Sequence, residues 1–179
     1  MRWFWVDRFT EFVAGSHAAG VKGVALSDEY LHDHWDCYPV MPNSLIAEGM
    51  AQTAGLLVSE MYEFKELVVL AKFTTLEFTG EVRPGDVIAY RAEIGRKMDV
   101  GAQCTVTGMV GERRQAYAEI FFGRLQPDPE KTHLPARLFD PDDLAHWLHT
   151  TGIFTVGVHP DGSRMKPSDY GLPVHSANL

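Results

Sequence analysis

The stretch from Leu31 to Gly55, LHDHWDCYPVMPNSLIAEGMAQTAG, decides the fold. Pro39 and Pro42 keep its first half in a loop. From Ser44 onward, apolar residues recur at helical spacing. Ile46, Met50, Ala54, Leu57 and Met61 fall every three or four residues, the stripe of a helix that faces a core. The spacing predicts one long helix over Ser44 to Phe64, with Asn43 or Ser44 as its N-cap. A second stripe of Glu48, Gln52, Gly55 and Ser59 is small or polar, and it calls for a different neighbour.

Strand signals surround this helix. Val6 to Val13 and Ala18 to Leu26 flank the turn Ala14-Gly15-Ser16. After the helix come Val68 to Phe78, Asp86 to Arg96, Ala102 to Val110 and Arg114 to Leu125, separated by turns at Pro84-Gly85-Asp86 and Val110-Gly111-Glu112. Ile88, Tyr90, Ala92 and Ile94 alternate with more polar positions, as one half-covered antiparallel strand should. One long helix followed by four strands predicts an α+β fold, a central helix wrapped by an antiparallel sheet.

Of ten prolines, seven lie beyond position 126, which places a boundary near residue 125. Residues 1–125 form the expected domain, and 126–179 a Pro-rich C-terminal extension. Asp140, Pro141, Asp142 and Asp143 signal the start of a short helix near 141–150, and Gly152 its end. Leu144, Trp147 and Leu148 give it one apolar face that needs burial.

The chain has 179 residues, with 16 Lys plus Arg against 24 Asp plus Glu, a net charge of −8. That balance argues against a nucleic-acid binder, which needs a basic face for phosphates. No apolar run approaches the roughly 20 residues of a membrane span. The acidic residue at Asp7 comes too early for a signal peptide, and two cysteines, Cys37 and Cys104, make no disulfide framework. These features predict a soluble, cytoplasmic protein.

Three readings compete for the loop. His34 and Glu48 can act as a proton-transfer pair, with the amides at the helix start polarising a carbonyl oxygen. His32, His34 and Cys37, with Asp33 and Asp36 nearby, offer ligand types that zinc accepts. Alternatively, His32, Asp33 and Asp36 are solvated loop residues and Cys37 is a small core filler.

Here the chain resembles the beta-hydroxyacyl-acyl carrier protein dehydratases of fatty acid synthesis. Their loop runs roughly His-Phe-Pro-Gly-x-Pro-x-Met-Pro-Gly-Val-Leu, then an acidic residue, then Met-Ala-Gln. His34, Pro39, Met41, Pro42, Leu45, Glu48, Met50, Ala51 and Gln52 match it without a gap. Val6-Asp7-Arg8 resembles the family's opening strand, and Val82-Arg83-Pro84-Gly85-Asp86 its turn, so the likeness covers about 3 to 124. Asp36 and Cys37 replace the family's Pro-Gly, and Asn43 replaces its second Gly. If that second Gly is left-handed, Asn43 must be so too, a conformation Asn tolerates better than most residues.

The resemblance implies a hotdog fold and a homodimer, with a trimer of dimers as a larger assembly. It implies loss of water from a (3R)-3-hydroxyacyl thioester to give the trans-2-enoyl thioester. His34 of one subunit would take the C2 proton, and Glu48 of its partner would hold or protonate the leaving hydroxyl. Asn43, Val40 and Gln52 would bind the oxyanion and substrate. No metal or redox cofactor is implied. The substrate would ride on acyl carrier protein, or on coenzyme A, as a thioester. Carrier proteins are acidic, so Arg83, Arg96, Lys97, Arg113 and Arg114 are candidates for one basic docking patch. Two other functions stay open: a weak or inactive dehydratase-like acyl-binding subunit, and a hotdog acyl-thioesterase.

Overall fold

The computed structural model describes residues 4–32, 34, 37–125 and 139–173. Strands β1 (Arg8–Val13) and β2 (His17–Gly23) form a hairpin, and helix α1 runs from Asn43 to Glu60. Strands β3 (Leu67–Phe78), β4 (Val87–Met98), β5 (Gly101–Val110) and β6 (Arg113–Leu125) follow it. The described extension holds α2 (Pro141–Thr150), the single turn α3 (Ile153–Val156) and a two-residue strand, β7 (Gly157–Val158). The seven strands make one sheet in the order β3-β6-β5-β4-β2-β1-β7. Every pairing is antiparallel except β7, which lies parallel to β1.

The sheet wraps α1. Ile46, Met50, Ala54 and Leu57 are buried, together with Ile88, Tyr90, Ala92, Cys104, Val106, Ala118 and Ile120 from the strands. Burial of these aliphatic faces drives the fold, at about 25 cal/mol for each Å² of apolar surface removed from water. The helix crosses β4 closely because Gly49 has no side chain; a Cβ there would lie 2.5 Å from the Tyr90 ring. Desolvation raises the Cys104 thiol to about 12, so it is an inert core residue.

The helix boundaries differ from the sequence reading. Neither Asn43 nor Ser44 is the N-cap: Pro42 is, and its carbonyl accepts from the Leu45 and Ile46 amides. The proline ring fixes φ near the value required, −56° here, so no side-chain cap is used. The helix also stops at Glu60, not Phe64, because Glu63 and Phe64 turn left-handed with φ of 54° and 55°. Likewise β2 ends at Gly23, and Leu26 is exposed.

Residues 139–173 share the apolar core of the sheet and helix. Asp140 caps α2 by accepting from the Asp142 amide, and Gly152 follows its last turn with φ 78°. Leu144, Ala145, Trp147 and Leu148 are buried, with Phe4 stacked on Trp147 at 4.2 Å. At the other end of α1, Glu60 is only 8% exposed. It accepts hydrogen bonds from the Tyr170 hydroxyl at 3.0 Å and the Gly15 amide at 2.9 Å. One helix residue thus holds the first hairpin and the extension together.

Candidate active site

The loop before α1 carries His34. Its Nδ1 lies 3.0 Å from the Val40 carbonyl, which can only accept, so Nδ1 bears the hydrogen. In the neutral ring that puts the lone pair on Nε2. Val40 is buried, and the next amide, Met41 N–H, donates to the Val82 carbonyl at 2.8 Å, so the carbonyl that orients His34 is fixed from both sides. Cys37 is exposed rather than a core filler and reaches the left-handed region with φ 61°, whereas Asn43 is the first residue of α1. The left-handed position of this loop is therefore Cys37, which stands where the resembled motif has the Gly of its Pro-Gly. Asn43 needs no unusual backbone, and its amide is among those at a helix start that lack an intrahelical acceptor.

Glu48 is exposed on α1, and its carboxylate accepts from Gln52 Nε2 at 2.9 Å. Gln52 Oε1 in turn accepts from the Trp5 amide at 2.9 Å, which anchors the amide group to the chain's first segment. Gln52 thus links the Glu48 carboxylate to the backbone at Trp5. Both line a cavity of about 180 Å³ that follows the second helix stripe, with Gly55 and Ser59 further along. Its remaining walls are Ala51, Leu56, Val68, Leu70, Phe122, Phe139 and Trp147. The stripe therefore has a role distinct from the core-facing one, as its composition suggests.

The predicted residues fall into pairs: His34 with Val40, and Glu48 with Gln52, while Asn43 opens the helix between them. The five basic residues do not form one patch. Arg83 pairs with Glu81 at 2.7 Å and stacks over Tyr38 at 4.4 Å, and Arg113 reaches the Glu81 carbonyl at 3.4 Å. Arg114 lies near Glu77 at 3.9 Å, on the adjoining stretch of β6. Arg96 and Lys97 lie at the opposite end of β4, about 33 Å from Val87 at roughly 3.3 Å per residue. The linear spacing of charges could not reveal this, because it is the strand length that separates them.

Sequence reasoning missed the Val40 carbonyl, the Trp5 amide, and the aromatic wall from Phe122, Phe139 and Trp147. The apolar face of α2, which the sequence showed to need a cover, was the one available signal for the wall. Asp33, Trp35 and Asp36 lie outside the described residues, so the zinc reading is only partly visible. Among the described residues, no three His, Cys, Asp or Glu side chains come together as a metal site. No helix among them is long and apolar enough to cross a membrane.

Residues 3–118 match the family model of the FabA-like domain. A 3-hydroxyacyl-[acyl-carrier-protein] dehydratase FabZ from Clostridioides difficile is 31% identical over 122 residues, covering 68% of this chain and 86% of that protein. The FabZ of Caldanaerobacter subterraneus is 34% identical over 118 residues, covering 65% and 84%. Among solved structures, an uncharacterized protein from Pyrococcus horikoshii superposes with TM-score 0.58 at 18% identity, covering 72% of this chain and 89% of its own. A hypothetical thioesterase from Streptococcus pneumoniae, solved with coenzyme A, gives 0.57 at 14% identity, covering 69% and 88%. At such identity these structures establish the hotdog fold alone. A matched domain of this extent, together with the His34 loop and the Glu48 helix in their expected places, makes the chain a member of the FabA-like hotdog dehydratase family, whose enzymes are hydro-lyases.

Proposed function

We propose that the protein removes water from a (3R)-3-hydroxyacyl thioester carried on acyl carrier protein, giving the trans-2-enoyl thioester. The observation that carries this reading is the His34 ring held through Nδ1 by the Val40 carbonyl, which leaves Nε2 as the basic nitrogen of the neutral ring. Nε2 takes the C2 proton, the C2–C3 double bond forms, and the C3–O bond breaks. Glu48, steadied by Gln52, protonates the departing hydroxyl, and water leaves. The two protons equalise through solvent afterwards. Charge that gathers on the thioester oxygen is met by the Asn43 amide at the positive end of α1. No oxidation state changes, so the chemistry calls for no metal or redox cofactor.

The working unit in this reading is a homodimer with His34 and Glu48 drawn from different subunits. Strand β3 supports it, because this 12-residue strand ends the sheet and presents unpaired backbone groups. Leu70 and Leu76 on it are 42% and 39% exposed. For carrier docking, the end of the sheet that holds Arg83, Arg113 and Arg114 is favoured. The Met41–Val82 hydrogen bond ties that end to the His34 loop.

Mixing His34→Ala with Glu48→Gln protein tests the site and the dimer together. Each variant alone should form almost no enoyl product, and the re-equilibrated mixture should recover part of the parent rate. A mixture as inactive as its components would oppose a shared site. Variants that each retain the parent rate would overturn the catalytic roles altogether.

A further inference from the structure

We infer that the C-terminal extension sets the length of acyl chain the site accepts, with Phe139 and Trp147 closing the cavity that begins at Glu48. The inference rests on the dehydratase reading for the identity of the occupant. It goes beyond that reading because both rings lie outside residues 3–118, the part matched by the family.

Cavity chemistry points to an alkyl chain. Among the described residues Glu48 is the only ionisable group on its wall and no Lys or Arg lines it, so these residues offer no charge pairing to a phosphate or sugar acid. The amide of Gln52 is already committed to Glu48 and Trp5. Beyond these, the lining is Ala51, Leu56, Val68, Leu70, Phe122 and the two extension rings, with Ser59 the remaining hydroxyl. The lining residues from Glu48 to Ser59 span about 16 Å of helix axis, at 1.5 Å per residue. A thioester whose reacting carbons sit at Glu48 thus has an apolar trough for its tail.

The wall is tightly packed and its far end is identifiable. Trp147 is 5% exposed, stacked on Phe4 at 4.2 Å and met edge-on by Phe139 at 5.5 Å. Phe139 also borders a small second cavity with Phe64, just past the helix end, which places it on the Ser59 side of the trough. Phe139 is accordingly the end stop and Trp147 the side wall. A longer chain meets Phe139, and each methylene that fails to fit loses about tenfold or more in discrimination.

The test uses full-length His34→Ala protein, which holds substrate without turnover, and measures its affinity for 3-hydroxyacyl-coenzyme A thioesters from butanoyl to palmitoyl. Affinity should rise with length and then fall sharply. Adding Phe139→Ala, a change at a side chain 39% exposed, should move that break to longer chains and raise the long-to-short affinity ratio about tenfold or more. Trp147→Phe, which keeps a ring in the core, should broaden the break. An unchanged ratio in both variants, or affinity that ignores chain length, would overturn the inference. The dehydratase reading is judged separately by enoyl formation in the parent: length-graded binding without enoyl product would sink that reading and leave the wall standing.

Discussion

Glu48 and Glu60 lie on the same helix, about 18 Å apart along its axis, yet they serve opposite ends. Glu48 is exposed, has Gln52 as its partner, and faces a cavity with room for a substrate. Glu60 is buried and accepts from Tyr170 and Gly15, and it is not among the residues that line the cavity at Glu48. Burial pushes the Glu60 carboxyl above the usual carboxylate range, and its two hydrogen bonds pull the other way. A carboxyl with a raised pKa often marks an active site. Here it marks the joint between domain and extension, and access to a cavity is what separates chemistry from architecture.

The largest predicted contrast is catalytic. Glu48→Gln and His34→Ala should each lower kcat by about 10²–10⁴, the usual worth of a positioned acid or base. Glu60→Gln should leave kcat near that of the parent. Equal losses at Glu48 and Glu60 would erase the distinction. In stability the order reverses. Tyr170→Phe removes a donor from a buried carboxyl and should cost about 1–3 kcal/mol in urea unfolding. Loss of the same size on Glu48→Gln would contradict the assignment.

The pH dependence sharpens the same point. Because burial raises the Glu60 pKa, the native chain binds that proton more tightly than the unfolded chain does. This contribution to stability is therefore fully present below the ordinary carboxylate pKa. It is lost as pH rises through the raised folded value. Melting temperatures measured across that window should fall less steeply in Glu60→Gln, and an unchanged slope would assign the effect elsewhere. The smallest expected effect is at Cys37. Relief of its left-handed backbone is worth about 1–2 kcal/mol, and the flexibility of glycine in the unfolded chain returns roughly 0.5–1 kcal/mol. Cys37→Gly should therefore stabilise by up to about 1.5 kcal/mol in the same unfolding assay.

The core stripe of α1 and the run of four strands after it were legible because both follow from periodicity, the 3.6-residue helix and the alternating strand. Glu48 and Gln52 were legible because their stripe breaks the apolar pattern. The helix ends were not, since Pro42 caps through its carbonyl and Phe64 turns left-handed without a glycine to announce it. The link between Glu60 and Tyr170 spans 110 positions of sequence, and no local pattern encodes such a contact. The aromatic wall was hidden for the same reason: Trp147 showed that α2 needed a cover, but not that a cavity beside Glu48 was part of it.

The most direct measurement follows a (3R)-3-hydroxyacyl-acyl carrier protein incubated with the purified protein, reading enoyl thioester and free thiol together. The account predicts enoyl product from the parent, little from His34→Ala, and no release of thiol. Free thiol without enoyl product would make the protein a thioesterase and contradict the roles given to His34 and Glu48.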